Sequence, residues 1–441
     1  MENIQKIFKK YLKNIQKMFD NHTEKSPANK SSFSFRFIFL LMFLVFISSF
    51  PPISTDLYLP ALPEMGKFFR ADSTQMQFTL SGFMLSFAVS MLFWGNFSDK
   101  VGRKPVLIIG STIYMFASLG ALFFSENLDK LIFWRCLQGV GSSALTTMAF
   151  AIVKDLFPRN QTEKILGLMQ TFIVIAPILA PVLGGIMLLW MSWRGLFITL
   201  FIFGLIAFLA SIFFVRETLR PSKRNKENVF KNLRRIPFVL SQKNFLFLLI
   251  LFSLTAIPFM AYLSVSSYIY QNYFGKSPQE FSIFFSMNAM MSMLGLALYV
   301  KVWSKFVNRQ KLISLVYKNL IILGSLLLVI TFVDEVKNIL FNEWTFTALV
   351  MLIIFNCATI RPPATFLMMS QLDSDNGTVS SLIGCFGFIF GAFGMYIANL
   401  DIFGNYVANY GSLATIIGIL SSIIWFMLNK HNLYRKIEVN K

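Results

Sequence analysis

Long apolar runs, separated by short polar or basic stretches, recur along almost the whole chain. A bilayer-crossing helix needs roughly 20 such residues. Runs of that kind lie at 34–62, 75–97, 105–124, 129–152, 163–190 and 194–215. After a hydrophilic stretch at 216–243 they resume at 244–270, 279–300, 312–333, 345–368, 378–399 and 411–429. The pattern predicts an all-α polytopic membrane protein with twelve transmembrane helices in two bundles of six, over 34–215 and 244–429. A basic linker at 216–243 joins the bundles and a short tail, 430–441, follows them. Residues 1–33 read differently. Ile4, Phe8, Leu12, Ile15 and Phe19 share a helical face while Lys6, Lys10, Lys13 and Lys17 fall elsewhere, the pattern of an amphipathic helix on an anionic membrane surface.

Composition agrees with that reading and removes others. Of 441 residues 55% are hydrophobic and only 14% charged, against roughly 25% charged in ordinary soluble domains. The net charge of +19 does not gather on one stretch as nucleic-acid binding would require. It falls between the apolar runs. One alternate set of loops holds only Lys67, Arg70, Lys130, Arg194, Lys276 and Lys337, and Arg135, Lys318 and Arg361 lie within runs. The remaining bases occupy the amino-terminal segment, the other loops, the linker and the tail. Lys and Arg collect on the cytoplasmic side of such proteins, so both termini and the linker are expected in the cytoplasm, with the protein in the cytoplasmic membrane.

Charges inside a span are costly and mark function by default. Asp56, late in the first run, and Arg135, early in the fourth, are expected at similar depth, roughly 10 Å below the outer surface at 1.5 Å per residue. They are placed to pair, and a carboxylate whose charge depends on a movable partner can take up and release a proton. Pro51 and Pro52 should kink the first helix and free carbonyls, which suits a cavity wall. Lys318 and Arg361 lie near the cytoplasmic ends of their runs, where long basic side chains snorkel to water.

Two further stretches carry chemistry. The connection from Gly95 to Pro105 packs Asp99, Lys100, Arg103 and Lys104 into six residues between two spans. Gly95 would let helix ends approach closely, and Gly102 permits a turn of positive φ. In the fifth run Ala176, Pro177, Ala180, Pro181, Gly184 and Gly185 make a small-residue face interrupted by proline, and Gly384, Gly387, Gly391 and Gly394 make another in the eleventh. Such faces let helices pack tightly, and two bundles meeting on them can rock.

Together these residues resemble the major facilitator superfamily, in its twelve-span drug:proton antiporter branch. Gly95, Phe97, Ser98, Asp99, Gly102, Arg103 and Lys104 are similar to that family's Gly-x-Leu-Ala-Asp-x-x-Gly-Arg-Lys signature, with Phe and Ser in place of Leu and Ala. Arg135, Gln138, Gly139 and Gly141 resemble its Arg-x-x-Gln-Gly-x-Gly. The fifth run resembles the antiporter motif, with Ala176 and Ala180 replacing glycine. Ser54 to Pro63, Ala176-Pro177 to Gly185, Ser192-Trp193-Arg194 and Glu217-Thr218-Leu219 are similar to the bicyclomycin- and chloramphenicol-resistance exporters. The second half departs: 304–309 lacks the repeated signature's Asp and Gly, and Arg361 stands where the family has an uncharged residue. The resemblance implies a monomer that exports amphipathic small molecules in exchange for protons, the proton gradient being its energy source. It implies that Asp56 and Arg135 couple the proton, and that Asp99 and Arg103, with Asp155 as a partner for Arg103, form a cytoplasmic gate.

Uptake of a defined metabolite, such as a sugar, amino acid or osmolyte, is the alternative on the same fold. A membrane enzyme is disfavoured. His22 and His431 lie in the tails, Cys136, Cys357 and Cys385 sit in separate apolar runs, and no carboxylate cluster or Lys-Ser/Thr phosphate loop occurs. No metal, cofactor or nucleic-acid partner is expected.

Overall fold

A segment in hydrocarbon must satisfy its backbone N–H and C=O groups internally, and a single chain segment does so only as a helix. The computed structural model describes residues 30–219, 221–224, 235–333, 341–372, 376–400 and 402–430. Among these residues it is helical, with no strand. The amphipathic segment predicted near the amino terminus and most of the predicted tail lie outside them.

Eleven helices are long and apolar enough to cross a membrane, and a bent pair makes a twelfth span. In chain order the spans are Ile38–Ser48 with Phe50–Phe69, Ser73–Val101, Arg103–Phe123, Leu128–Leu156, Ile165–Met187 and Trp193–Phe213. Then come Lys243–Tyr273, Pro278–Phe306, Arg309–Phe332, Glu343–Met369, Thr378–Ala398 and Tyr406–Lys430. The polar linker contributes a short helix, Arg235–Ser241. The spans alternate in direction. One face, called the basic face below, carries Lys100, Arg103, Lys104 and Lys154; the opposite one is the far face.

The first span bends by 47° at Ser49. Pro51 and Pro52 have no amide to give the preceding turn, and the hydroxyls of Ser48 and Ser49 donate to the Val45 carbonyl at 2.7 and 3.1 Å. A second irregularity follows Asp56. The chain turns at Leu57 and Tyr58, tightens into a 3₁₀ turn over Leu59–Ala61, and resumes as a helix over Leu62–Phe69. The span therefore runs beyond the predicted end at residue 62, because Pro60 and Pro63 re-aim the helix instead of ending it.

Within the first six spans the second, third, fourth and sixth pack on one another; within the last six, ninth packs on twelfth, seventh on eleventh and eighth on tenth. Two broad interfaces join the halves, fifth on eighth and second on eleventh. Exchanging each span for its counterpart in the other half, fifth for eleventh and eighth for second, converts one pair into the other, the relation expected of two repeated halves.

The fifth helix runs unbroken through Pro177 and Pro181. Its paired glycines face two different neighbours. A Cβ on Gly184 would overlap the Leu57 carbonyl of the first span, while one on Gly185 would come to 2.5 Å from Ser282 Oγ of the eighth. Gly184 thus lets the first half close on itself, and Gly185 lets it meet the second. The glycines of the eleventh span do not form the single packing face expected. Gly384 lies against Met91 of the second span, Gly391 and Gly394 against Met260 and Ile257 of the seventh, and Gly387 against open space. The four stay within about 80° around a helix of 3.6 residues per turn, but at different heights that face meets different neighbours. Gly184→Ala is expected to lower the thermal midpoint of the purified protein clearly, overpacking of this kind costing about 1–3 kcal/mol. Gly387→Ala should leave that midpoint unchanged.

Candidate functional site

The loop between the second and third spans is built on Gly102. Its φ of 109° is open to glycine and strained for any other residue, and a Cβ there would overlap the Glu217 carboxylate. That turn presents the first amides of the third helix to Glu217, whose Oε1 accepts from Arg103 N at 2.9 Å and whose Oε2 accepts from Lys104 N at 3.2 Å. Helix amino termini carry unpaired donors and partial positive charge, so a carboxylate is well placed there. Glu217 Oε1 also accepts from Leu219 N at 2.9 Å. Sequence reading placed Glu217 only within a matching tripeptide and gave it no task. The available signal was an acid immediately after an apolar run, with an orphaned helix start elsewhere.

Arg103 is buried, with 8% of its surface exposed. Its Nε donates to Asp155 Oδ2 at 2.9 Å, and its Nη1 to Asp99 Oδ1 at 2.7 Å and Ser98 Oγ at 2.5 Å. A guanidinium suits this place because its fork reaches several acceptors in one plane. Lys104 Nζ donates to the Ile212 carbonyl at 2.8 Å, near the end of the sixth helix, and Thr218 Oγ1 to Asp155 Oδ2 at 3.3 Å. The clasp therefore ties together the basic-face ends of the second, third, fourth and sixth spans. All these partners belong to the first half and its exit into the linker. Gly95 is not the close-approach point expected, since a Cβ there would meet only Thr147 Cγ2, at an ordinary 3.9 Å.

Asp56 and Arg135 are both buried in the first half, at 2% and 0% exposure, but the pairing expected of them is not formed in this structure. Asp56 Oδ1 accepts from Thr55 Oγ1 at 2.8 Å, and among the described residues no cation lies within 4 Å of it. Arg135 is engaged elsewhere. Its Nη1 donates to Gln138 Oε1, its Nε to the Thr79 carbonyl at 3.3 Å, and its Cζ lies 4.5 Å from the Tyr58 ring centroid and 4.7 Å from that of Phe83. The turn after Asp56 explains the difference, because it brings Tyr58 rather than Asp56 to the guanidinium. Gln138 Nε2 in turn donates to Ser118 Oγ at 2.8 Å. Ala176 and Ala180 are buried on the fifth helix, as are Pro181, Gly184 and Gly185.

At the far face a set of hydrogen bonds joins the halves. Ser267 Oγ of the seventh span donates to the Leu59 carbonyl at 2.7 Å, and Gln271 Nε2 to the Pro60 carbonyl at 2.9 Å. Pro63 cannot offer the amide that the Leu59 carbonyl would meet in a regular helix; that carbonyl accepts from the Leu62 amide in the 3₁₀ turn and from Ser267 besides. Ser286 Oγ donates to the Ile178 carbonyl at 2.6 Å and Gln279 Nε2 to that of Gly185 at 2.7 Å. Thr74 Oγ1 donates to the Asn399 carbonyl at 2.6 Å, and Ser73 Oγ lies 2.8 Å from Tyr406 Oη. Every one of these bonds is between uncharged groups. Sequence reading missed this seal, which depends on which spans meet rather than on any spacing along one of them. Among the described residues no cluster of three or more potential metal ligands occurs.

Residues 32–395 match the family model of the Major Facilitator Superfamily. The chain is 24% identical over 410 residues to the uncharacterised MFS-type transporter YdgK of Bacillus subtilis, covering 92% of this chain and 98% of that one. It is 29% identical over 254 residues to a bicyclomycin resistance protein homologue of Haemophilus influenzae, covering 57% of this chain and 63% of the relative. With the multidrug resistance protein MdtL of Salmonella heidelberg it shares 32% over 245 residues, covering 55% and 61%. Among solved structures it is similar to a bacterial homologue of the human lysosomal transporter Spinster, with a TM-score of 0.69 at 12% identity over 93% of this chain and 99% of that one. That likeness bears on the fold alone. The family model spans most of the chain and the twelve-span architecture agrees with it: this protein belongs to the Major Facilitator Superfamily.

Proposed function

We propose that this transporter exports amphipathic small molecules from the cytoplasm in exchange for protons. In this reading it sits as a monomer in the cytoplasmic membrane, with the basic face and both termini cytoplasmic, as the distribution of Lys and Arg supports. The relatives named for bicyclomycin and multidrug resistance support the direction and the class of cargo. The structure then corresponds to a state closed to the outside by the far-face seal.

One observation carries the mechanism: Asp56 lies within one helical turn of the seal. Its carboxylate accepts from Thr55, and three residues later the Leu59 carbonyl is held by Ser267 of the other half. The intervening turn at Leu57 and Tyr58 is irregular, so a change of charge at Asp56 acts on a stretch already free to rearrange. A proton reaching Asp56 removes the charge that the Thr55 hydroxyl stabilises and alters the pose of this turn. The carbonyls of Leu59 and Pro60 then move relative to Ser267 and Gln271. Neutral hydrogen bonds contribute about 0.5–1.5 kcal/mol each, which lets such a seal hold and still release. The clasp at Arg103 keeps the first half rigid at the opposite face, so movement at the seal is passed on as rotation of a whole bundle.

Three outcomes follow. Asp56→Asn keeps the fold and drug binding but abolishes pH-gradient-driven efflux from everted vesicles; unchanged efflux removes Asp56 from the coupling step. Ser267→Ala with Gln271→Leu removes two bonds, about 1–3 kcal/mol together. That shifts the balance between closed and open seal by about fivefold or more, read as faster labelling of a far-face cysteine by an impermeant thiol reagent. Glu217→Ala leaves helix-start amides without their acceptor and is expected to cost about 1–3 kcal/mol in chemical denaturation, with slowed transport.

A further inference from the structure

Two intramembrane cations of the second half have different surroundings. Lys318 is exposed and falls on the same stripe of the ninth helix as exposed Leu315 and Ile322, the side that faces lipid. It can snorkel as expected. Arg361 is exposed as well, while the four residues before it, Cys357 to Ile360, are buried. It does not lie on its helix's outward stripe. At roughly 100° per residue it stands about 180° from exposed Leu352 and about 140° from exposed Phe366. Nor does its side chain reach for the membrane surface. Its Cζ sits 4.1 Å from the ring centroid of Phe259, in the middle of the seventh span, Lys243–Tyr273. An exposed cation at that depth, turned away from lipid, faces a water-filled interior.

The place is an interruption of regular helical hydrogen bonding in two spans. The tenth helix stops at Thr359 and restarts at Arg361, because Pro362 and Pro363 supply no amides to the carbonyls of Ala358 and Thr359. The seventh stops at Leu254 and restarts at Ala256, with Pro258 just inside. Arg361 and Phe259 therefore meet where two spans each lose backbone hydrogen bonds to proline, although each continues as one helix. The guanidinium has no carboxylate within 4 Å and no hydrogen-bond acceptor among the described residues. Among the described residues only the Phe259 ring engages it. A guanidinium backed by a ring face keeps its in-plane N–H donors for a ligand, and those donors match a carboxylate in two parallel bonds.

We propose that Arg361, backed by Phe259, anchors the acidic group of an amphipathic organic anion, so that the cargo class includes amphipathic carboxylates as well as neutral drugs. The inference rests on the transport reading above and assigns a ligand chemistry to its interior.

The test is equilibrium binding by the purified full-length protein in detergent, using fusidate as an amphipathic carboxylate, chloramphenicol as a neutral probe and ethidium as a cation. Wild type should bind fusidate. Arg361→Gln should weaken fusidate by about tenfold or more, the worth of a charge-assisted bond, and leave chloramphenicol within about twofold. Arg361→Lys, which keeps the charge, should recover part of the loss. Arg361→Glu should weaken fusidate further and strengthen ethidium. Absence of fusidate binding to wild type, or an equal loss of all three probes in Arg361→Gln, overturns the proposal. If fusidate binds through Arg361 but a pH gradient drives no export, the anion site stands and proton antiport falls. Export of neutral and cationic drugs without fusidate binding removes the anion site alone.

Discussion

A carbonyl without a donor is costly in hydrocarbon, and the first span of this transporter has several. Its prolines withhold amides at 51, 52, 60 and 63. Each freed carbonyl must find another donor, and the donors come from two sources. At the Ser49 bend, where Ser49 N donates to the Phe46 carbonyl instead of that of Val45, the span's own hydroxyls serve Val45. Near Leu59 and Pro60 the seventh span of the other half adds donors. At Leu59 the span supplies one donor of its own, the Leu62 amide, and contact between the halves adds a second. Where those donors withdraw, water takes their place on the carbonyls, which ties opening of the seal to hydration of that face.

The two faces solve opposite problems with different bonds. At the basic face the charged groups Asp99, Arg103, Asp155 and Glu217 are tied within one half, and a guanidinium with three acceptors makes that end stiff. At the far face the bonds between halves are neutral, mostly from a side-chain hydroxyl or amide to a carbonyl. Breaking a buried ion pair strands a charge and costs several kcal/mol; breaking a neutral bond that water can replace costs far less. Rigid within a half and yielding between halves is the division of labour that a rocking mechanism requires. Gly184 and Gly185 repeat the division in adjacent residues, the first closing on its own half and the second on the other.

Much of this was legible in the sequence because it depends on local rules. The apolar runs give the spans, Pro51 and Pro52 give the bend, Gly102 gives the positive φ, and Arg103 with two nearby acids gives the clasp. What escaped depends on which surfaces meet. Asp56 and Arg135 share a bundle, but the unwound turn at Leu57 and Tyr58 rotates one past the other, and no spacing rule describes an unwound turn. The eleventh-span glycines share a motif yet divide between two neighbours. The seal consists of serine, threonine and glutamine side chains that resemble any others in a span until their partners are known. Arg361 looked like a snorkelling residue by its distance from the span end; the break at Pro362 and Pro363 and the ring of Phe259 point it inward.

The account stands on the link between the Asp56 proton and the far-face seal. Spin labels at Glu64 and Asn272, both exposed at that face, report the separation of the halves by pulsed dipolar spectroscopy. In the wild type the distance distribution should gain a second, longer population on going from alkaline to acid buffer. In Asp56→Asn it should be the same in both. An Asp56→Asn protein that responds to pH as the wild type does, or a wild type that shows no response, would contradict the link.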